Sequence, residues 1–381
     1  MPAADTRPRI LLITRNLPPL VGGMERLMQH LACGMAEYAD LTVIGPRGCA
    51  QSLPVNVQVY ETSDKLATFL LCSTWLGIKV CSKREFDIVI GGSGLIAPTL
   101  RILSLIFRCK TAIYLHGLDI IVDNYWYQQI FVPCLQRVYL TIVNSRNTRK
   151  LAIDKGVKET RITVVNPGTD ISEMPAKAAL KQFRLDHDIS FSKIMIFVGR
   201  MTRRKGLSAF IEKCLPSILA KVPDAGLIVV GDNPQSSLNH LGEEREIVAK
   251  AAESEHKNRI VFLGRLNDND LATCYALADV QILPLREVDG DIEGFGMVAI
   301  EAAALGTPTV AFALGGVSDA ISPANGLLVA ADRYDLYAEA ISDILSQAPI
   351  DYASCRRHAE NFSWVNVNAQ FRQALAEIIR C

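Results

Sequence analysis

Two glutamates stand eight positions apart, Glu293 and Glu301, within the sequence GDIEGFGMVAIEAAALGTPTV. If this stretch is helical, eight residues cover about 12 Å and place both side chains on one face. Two carboxylates at that spacing could contact two polar groups of one extended ligand, such as a sugar hydroxyl and a ribose hydroxyl joined through a diphosphate. Surface glutamates are the alternative, but the apolar residues MVAI between the two argue against a solvent-facing stretch.

Glycines border the first of these glutamates, in the tripeptide Gly294-Phe295-Gly296. Glycine has no Cβ, so the backbone there can approach a ligand closely. The helix that follows would offer N–H groups at its N-terminus, which suit negatively charged oxygens. The stretch therefore predicts a site for a ligand that carries both hydroxyl groups and an anion.

Four cations follow a predicted strand in the sequence GRMTRRKG, residues 199–206. A diphosphate needs fixed cations at the carboxyl end of a strand, where arginine can grip two oxygens at once and lysine acts as a point charge. Arg200 and Lys205 each adjoin a glycine, and we expect both to contact phosphate. For Arg203 and Arg204 we expect solvated surface positions, as is usual for a run of charges.

Two further loops carry residues suited to a ligand site. In PPLVGG, Gly22 and Gly23 could turn backbone N–H groups toward a phosphate, although a simple tight turn fits them equally well. In YLHGLD, His116 follows a predicted strand and adjoins a glycine, which favours a role in the site over a structural one. GGSGL is not a hydrolase elbow, because Leu95 occupies the place of the second required glycine. The sequence contains no HExxH and no carboxylate cluster with metal-ligand spacing, so we expect neither a metal nor a cofactor.

The composition excludes several classes of protein. The 381 residues include 40 basic and 40 acidic side chains, and this balance argues against a nucleic-acid partner. Ten cysteines lie scattered without CxxC pairs, which predicts reduced thiols in a cytoplasmic protein. The first ten residues lack the apolar core of a signal peptide. The longest apolar segments, at 66–78 and 102–107, are shorter than the roughly 20 residues that span a bilayer, but they are compatible with a peripheral membrane face.

Both halves of the chain begin with a buried strand, a glycine-containing loop and a helix, at 9–35 and at 193–215. Uniformly apolar strands separated by helical patterns predict parallel sheets covered on both faces. The remaining predicted strands lie at 87–92, 111–117, 140–145, 226–232, 259–264, 280–285 and 307–312. We therefore expect two doubly wound α/β domains with ligands at the carboxyl ends of the strands, and an interdomain linker in the polar stretch 171–193.

Taken together, these motifs resemble those of the retaining, nucleotide-sugar-dependent glycosyltransferases of family 4, which have the GT-B fold. The motifs are PPLVGG, HGLD, Asn144-Ser145, NPGTD, VGRMTRRKG, EGFGMVAIEAAALGTPTVA and the near-terminal NFSWVNV. The resemblance covers nearly the whole chain. It implies two Rossmann-like domains facing across a cleft, with an acceptor domain at 1–172, a donor domain at 173–364 and a last helix at 365–381 that crosses back to the first domain.

The resemblance also implies roles for individual residues. Glu293 would hydrogen-bond hydroxyls of the donor hexose, and Glu301 would bind the ribose hydroxyls. Arg200 and Lys205 would neutralise the departing diphosphate in place of a metal ion, while His116 would touch the sugar 6-hydroxyl and stabilise positive charge at the anomeric carbon. The other donor-binding residues that it implies are Gly22, Gly23, Gly199, Phe295, Gly296, Met297 and Val298.

The substrates are less sharply indicated. The run REVDGDIEGFG resembles phosphatidylinositol mannosyltransferases and related lipid- and polysaccharide-assembling members, which favours GDP-mannose over a UDP-sugar. Asn233 and the sequence NPG depart from the commoner family pattern near the nucleotide. The apolar stretches 66–80 and 123–140 suit a lipid-linked acceptor at the inner face of a membrane, although ordinary packing explains them equally well. The alternatives are a GT-B epimerase or phosphorylase, and a non-catalytic two-lobed sugar-binding protein, against which the cations argue.

Overall fold

The computed structural model describes residues 7–231, 243–347 and 350–379, and Asn233 lies outside these ranges. The chain divides into two compact units. Unit 1 comprises Met1–Gly168 and Trp364–Cys381, and unit 2 comprises Thr169–Ser363.

Unit 1 is built on a parallel sheet of seven strands in the order β3-β2-β1-β4-β5-β6-β7. The strands are β1 (Arg9–Ile13), β2 (Asp40–Pro46), β3 (Gln58–Thr62), β4 (Ile88–Gly91), β5 (Lys110–Leu115), β6 (Leu140–Val143) and β7 (Ile162–Val164). The winding reverses between β1 and β4, which pair directly with Ile13 opposite Gly91. Loops that leave such a switch point diverge and open a space for a ligand.

The helices of unit 1 cover this sheet. In chain order the first six are α1 (Gly23–Tyr38), α2 (Leu66–Cys81), α3 (Ala97–Phe107), α4 (Leu118–Ile121), α5 (Val132–Leu135) and α6 (Arg146–Asp154). The apolar residues that predicted α1, namely Leu27, Leu31 and Met35, are all buried. Within the described ranges, no helix is both long enough and apolar enough to cross a membrane.

Unit 2 repeats the same winding in a parallel sheet of six strands, in the order β10-β9-β8-β11-β12-β13. The strands are β8 (Lys193–Val198), β9 (Ala225–Val230), β10 (Ile260–Gly264), β11 (Val280–Leu283), β12 (Thr309–Phe312) and β13 (Gly326–Val329). Here the switch point lies between β8 and β11. The expectation of two doubly wound α/β domains is therefore confirmed.

The helices of unit 2 correct one expectation. They are α7 (Lys177–Asp186), α8 (Leu207–Lys213), α9 (Leu215–Lys221), α10 (Glu244–Glu253), α11 (Asp268–Leu277), α12 (Met297–Ala304), α13 (Tyr334–Gln347) and α14 (Tyr352–Glu360). The predicted linker at 171–193 is wrong, because unit 2 begins at Thr169 and α7 lies within this stretch. Phe183 is buried in one cluster with Ile189 and Phe191, so this polar stretch is anchored to the core of unit 2.

The last helix, α15 (Trp364–Ile379), follows unit 2 in the chain but belongs to unit 1. Its first residue stacks on His30 of α1, with ring centroids 4.0 Å apart. Near its end, Lys110 at the start of β5 donates a hydrogen bond from Nζ to the Ile378 carbonyl over 2.7 Å. Unit 1 is thus assembled from two separate stretches of chain.

Candidate active site

The loops after β8 and β11 leave neighbouring strands at the switch point of unit 2. The first loop carries residues 199–206 and the second carries residues 284–296. A backbone hydrogen bond joins them, in which the Arg286 N–H donates to the Arg204 carbonyl over 2.8 Å. The structure therefore brings the cations of residues 199–206 close to Glu293.

Glu293 lies at the centre of a buried ion network in these loops. Its Oε2 accepts a hydrogen bond from Lys205 Nζ at 2.7 Å and another from Arg204 Nη1. Arg204 also donates from Nε to Asp291 Oδ1, over 3.1 Å. The exposed fractions of the four side chains lie between 7% for Arg204 and 14% for Glu293, so solvent screens these charges weakly.

The protonation of the network follows from its charges. Burial alone would raise the pKa of Glu293, but the charges of Arg204 and Lys205 outweigh burial and hold that pKa well below its usual range. Burial lowers the pKa of Lys205, and the charges of Arg204 and Arg200 lower it further against the attraction of Glu293. Arg200 places a further positive charge near Lys205, so an additional anion beside these two cations would be stabilised.

The backbone of Glu293 is held by a third loop. Gly316 donates its N–H to the Glu293 carbonyl over 2.8 Å. Gly315 has a φ of 62°, and a Cβ at that position would overlap the same carbonyl oxygen. Phe295 is 2% exposed and packs against Phe362 with ring centroids 5.7 Å apart. These contacts fix the position from which the carboxylate projects, and they give the Phe295 side chain a role in the core.

The two glutamates do not share a helix, and this corrects the expected spacing of about 12 Å, which assumed one. Gly296 has a φ of 90°, a left-handed conformation that the helix cannot include, so α12 begins at Met297. Glu293 therefore lies in the preceding loop. Glu301 lies in α12, half-buried, and its Oε2 accepts a hydrogen bond from the Tyr275 hydroxyl over 3.3 Å.

The N-terminus of α12 adjoins the ion network. Met297 and Val298, both half-buried, form its first turn, where backbone N–H groups have no partner within the helix. Gly296 contributes no capping side chain to them. The helix dipole adds partial positive charge at this end. The first turn of α12 is thus chemically suited to an anion.

The expectation of a solvated position is wrong for Arg204. This residue belongs to a short 3₁₀ turn, Arg203–Lys205, and is buried together with Lys205. Its guanidinium tolerates burial because two carboxylates compensate its charge. Arg203, in contrast, is 58% exposed at its side chain, with Nε 3.7 Å from Glu243 Oε1.

Two other predicted residues lie in the same loop. Arg200 is exposed, and its charge is close enough to lower the pKa of Lys205. Gly199 has a φ of 152°, and a Cβ there would meet the Lys205 side chain at 3.4 Å from Cε. That distance is an ordinary contact, so the positive φ and not the lysine favours glycine at this position.

In unit 1, His116 follows β5 and is 6% exposed. Its Nε2 lies 2.9 Å from the Gly92 carbonyl oxygen. A carbonyl only accepts, so Nε2 carries a proton, and in the neutral ring Nδ1 is the acceptor. The Asn144 side chain donates to the His116 carbonyl over 3.0 Å, which fixes the backbone as well.

Asp119 organises this loop, although the sequence analysis did not single it out. Its Oδ1 accepts the N–H groups of His116 and Gly117 at 2.9 and 3.0 Å, and its Oδ2 accepts the N–H of Gly94 at 2.8 Å. One carboxylate thus ties the loop after β5 to the loop after β4. The signal was present in the sequence as the last residue of the HGLD motif.

Gly22 and Gly23 lie at the start of α1. Both are exposed, as are the flanking residues Val21 and Met24, at 71% and 42%. Gly22 has an extended backbone and accepts the Arg26 N–H at its carbonyl over 3.1 Å, so it begins the first helical turn. The loop offers backbone N–H groups to solvent but contributes no charge.

Metal ligands are a separate question. Over residues 7–231, 243–347 and 350–379, no group of three or more His, Cys, Asp or Glu side chains is arranged to hold a metal ion. The carboxylates of the ion network are instead compensated by cations of the chain itself.

The fold is that of the GT-B class. The structure is similar to crystal structures of Anabaena HepE in complex with UDP (TM-score 0.78, 20% identity, covering 97% of this chain and 100% of that one). It is equally similar to sucrose-phosphate synthase from Thermosynechococcus elongatus (TM-score 0.78, 22% identity, covering 98% and 100%). GT-B proteins pair two Rossmann-like domains, and both units here have that winding.

The family follows from the sequence comparisons. Residues 192–347 match the family described as Glycosyl transferases group 1, and residues 21–173 match Glycosyltransferase Family 4. The two matches together account for most of the chain. The chain therefore belongs to glycosyltransferase family 4.

Two curated relatives are similar over part of their length. One is a GDP-mannose-dependent monoacylated alpha-(1-6)-phosphatidylinositol monomannoside mannosyltransferase of Corynebacterium glutamicum, 34% identical over 44% of this chain and 42% of that protein. Another is a D-inositol 3-phosphate glycosyltransferase of Mycobacterium bovis, 31% identical over 62% and 49%. The similarity thus spans about half or less of each relative.

Proposed function

We propose that this chain is a retaining hexosyltransferase. It moves a hexose from a nucleoside-diphosphate sugar to a hydroxyl of a glycan or of a lipid-linked acceptor. The observation that carries the proposal is the buried contact of Glu293 with Lys205 at the switch point of unit 2. A carboxylate for sugar hydroxyls and a cation for phosphate stand side by side where doubly wound sheets bind their ligands.

The donor would be bound by residues of unit 2. Lys205 and Arg200 neutralise the diphosphate, and the first turn of α12, at Met297 and Val298, supplies N–H groups for phosphate oxygens. Glu293 accepts hydrogen bonds from the hexose, and Glu301 from the ribose. The main-chain groups of Gly199, Phe295 and Gly296 complete the contacts to the donor, with Gly22 and Gly23 against the phosphates or the acceptor.

The chemical step needs no separate base. The acceptor oxygen attacks the anomeric carbon from the face that the leaving group occupies, so the configuration is retained. The bond between the anomeric carbon and the diphosphate oxygen breaks, and its electron pair stays on that oxygen, which takes the acceptor's proton. The products are the glycoside and the nucleoside diphosphate. Lys205 and Arg200 stabilise the charge that develops on the leaving oxygen, without a metal ion.

His116 is proposed to contact the donor sugar. Its Nε2 proton is directed to the Gly92 carbonyl, which leaves Nδ1 of the neutral ring to accept a hydrogen bond from the 6-hydroxyl. The lone pair there also favours a positively charged anomeric carbon. Asp119 acts through the backbone of this loop and is a positioning residue in the proposal.

Mannose and GDP are the favoured donor components. The Corynebacterium relative is named as GDP-mannose-dependent, and this name supports the choice. The Anabaena structure, in contrast, was determined with UDP, so both nucleotides belong in the test. A cytoplasmic location is also part of the proposal, and the nine described cysteines, all free thiols, fit a reducing compartment.

The test is a panel of GDP- and UDP-linked sugars offered to the purified full chain with a cell-membrane extract as acceptor source. We expect acceptor-dependent release of nucleoside diphosphate with one sugar, and a product of unchanged anomeric configuration by NMR. Glu293→Gln should abolish release. An epimerase would convert the donor without an acceptor, and a phosphorylase would require phosphate. Binding of nucleotide without any turnover would instead indicate a non-catalytic sugar-binding protein.

A further inference from the structure

Two consecutive aromatic side chains, Tyr125 and Trp126, lie exposed in unit 1, at 70% and 68%. Their ring centroids are 5.5 Å apart and the ring planes meet at 77°, so the two rings form a corner. Rings of this size keep a large apolar area in water unless a ligand or a partner covers it. Tyrosine and tryptophan are also frequent anchors of binding sites, since each covers a large area with few rotatable bonds. We call these two residues the aromatic corner.

The aromatic corner lies at the carboxyl end of the sheet in unit 1. β5 and β6 are parallel neighbours, so the segment between them must return from the carboxyl end of β5 to the amino end of β6. Tyr125 and Trp126 begin the longer helical stretch of that return, which continues through a π-helical turn, Tyr127–Phe131, into α5. Turns of this kind are rare and are frequently found at functional sites. The corner is therefore placed at the end of the sheet that carries His116.

Hydrogen bonds hold this segment to the loop that carries His116. The Tyr127 hydroxyl donates to the Asp119 carbonyl over 2.6 Å, and Gln128 Nε2 donates to the Val122 carbonyl over 2.9 Å. The Asp119 carboxylate in turn accepts the N–H of His116. The corner thus stands on a support that is tied to the candidate site. Such a support reduces the conformational freedom that is lost when a ligand binds.

Polar groups and negative charge border the aromatic corner. Asp123 and Asn124 precede it, Gln129 follows it, and all three are exposed. Over residues 117–135 the charged side chains are Asp119 and Asp123, both acidic. Because Asp119 is engaged with backbone N–H groups, Asp123 is the charge of this segment that is available beside the rings. Carboxylate and amide groups are hydrogen-bond partners for hydroxyl groups, whereas a carboxylate repels phosphate.

We propose that the aromatic corner binds a pyranose ring of the acceptor. A pyranose presents C–H groups on its faces and hydroxyl groups around its edge. The C–H groups pack on the electron-rich face of Trp126 or Tyr125, and the hydroxyl groups meet Asp123, Asn124 or Gln129 at the border. The acceptor is therefore a glycan, free or attached to a lipid, and not a bare lipid. This inference rests on the proposed transfer reaction for the role of the bound sugar as acceptor.

Two other occupants fit the corner less well. A purely apolar chain would cover the rings but would also take the bordering carboxylate and amide groups out of water without giving them partners, which opposes binding. In a two-fold dimer the same patch packs on itself, so Asp123 of one copy would approach Asp123 of the other. Like charges in an interface oppose association. A sugar satisfies both the rings and their polar border.

The experiment is a ligand-observed NMR titration of the purified full chain with three linear trisaccharides, built of glucose, of mannose or of N-acetylglucosamine. We expect saturable binding of at least one of them. Trp126→Ala should raise its dissociation constant about tenfold, whereas Trp126→Phe keeps an aromatic face and should raise it by about threefold or less. The matched control is Trp75→Ala, on α2, where the tryptophan is 60% exposed and should not matter. Binding of GDP and UDP should be the same in every variant.

A second measurement tests the role as acceptor site. With the membrane extract of the transfer assay, Trp126→Ala should raise the KM for the acceptor about tenfold and leave the KM for the sugar nucleotide unchanged. The titration itself needs neither a donor nor turnover. A chain that transfers no sugar but binds a trisaccharide through Trp126 would support the sugar site and refute the transferase function, so the two failures are distinguishable.

Four results would overturn the inference. The first is that no trisaccharide binds at concentrations up to about 20 mM. The second is an equal loss of binding in Trp126→Ala and Trp75→Ala. The third is binding to phosphatidylcholine vesicles that Trp126→Ala abolishes, which would assign the corner to lipid. The fourth is a concentration-dependent dimer that Trp126→Ala dissociates. Thermal unfolding shows whether each variant is folded, and Tyr125→Ala is an independent variant should Trp126→Ala fail to fold.

Discussion

Lys205 donates a hydrogen bond to Glu293 over 2.7 Å, so the residue proposed for the diphosphate is bonded to the residue proposed for the sugar. Donor binding must exchange this contact, with sugar hydroxyls taking the carboxylate and phosphate taking the ammonium. Arg204 remains beside the carboxylate, and Asp291 remains beside Arg204. Release of Lys205 leaves Arg204 facing two carboxylates, so the sugar hydroxyls must donate hydrogen bonds to Glu293 in place of the ammonium.

Lys205→Met should weaken binding of the nucleoside diphosphate, because a buried charge-assisted contact is lost. Such contacts contribute about 1.5–3 kcal/mol, which corresponds to a dissociation constant raised roughly 10- to 100-fold. Arg203→Met removes a cation two residues away whose side chain is 58% exposed, and it should change binding little. Calorimetric titration of GDP and UDP measures both. Equal effects in the two variants would show that Lys205 contributes no more to nucleotide binding than an exposed cation does.

Arg204→Met should destabilise unit 2 strongly. Removing one partner of a buried ion pair leaves the other charges uncompensated and typically costs about 3–5 kcal/mol. Arg333→Met provides the comparison, because Arg333 pairs with Asp335 at an exposed position and such pairs contribute about 0–1 kcal/mol. Urea unfolding measures both free energies. A loss for Arg204→Met as small as that for Arg333→Met would contradict the compensation ascribed to the network.

Stability should fall in acid through Glu293. Its folded-state pKa is held well below the value of about 4.3 for an unfolded glutamate, so its stabilising contribution is present above that value. Below about pH 5 the unfolded chain takes up a proton that the folded chain does not, and stability decreases by up to about 1.4 kcal/mol per pH unit for this group. Urea unfolding from about pH 7 to about pH 3 measures the decrease, which should be shallower in Glu293→Gln. Parallel curves would show that Glu293 is not responsible.

Gly315→Ala should displace the loop that carries Glu293 and reduce transfer. A Cβ there would overlap the Glu293 carbonyl oxygen, and the φ of 62° adds strain of its own. Gly264→Ala is a matched control, since its φ is also 62° and nothing lies within 4 Å of the added Cβ. Both variants should lose about 1 kcal/mol to the backbone conformation. Only Gly315→Ala should lose activity as well; activity lost equally in both would mean that the overlap is not its cause.

The sequence predicted the sheets where strands are uniformly apolar, as in β4 and β5. It did not predict β3, β7 and β13, which are partly exposed strands at the edges of the sheets, and β7 has only three residues. It also missed β2, although that strand is almost fully buried. Edge strands and very short strands lack the continuous apolar pattern of buried parallel strands. Their pairing is settled by the neighbouring strand and not by their own composition.

The sequence predicted which types of residue form the candidate site, but it did not predict how these residues are arranged. Four cations in GRMTRRKG look alike in sequence, and the 3₁₀ turn decides that Arg204 and Lys205 face inward while Arg203 faces solvent. Likewise, two glutamates eight residues apart suggest that both lie in one helix. Gly296 has a left-handed conformation, so the helix begins only after it and excludes Glu293. Both outcomes depend on turn geometry, to which charge patterns and apolar spacing are insensitive.

Unit 1 consists of two stretches of chain with unit 2 between them, so the ribosome synthesises unit 2 before unit 1 is complete. A ribosome adds about 5–20 residues per second, so the interval needed to synthesise unit 2 is on the order of 10 to 40 s. Throughout that time the earlier part of unit 1 has emerged without α15, whose Val367, Phe371 and Leu375 are buried in the finished protein. The apolar surface of unit 1 that α15 later covers therefore stays exposed to solvent until translation reaches that helix. During this interval the nascent chain is prone to aggregation.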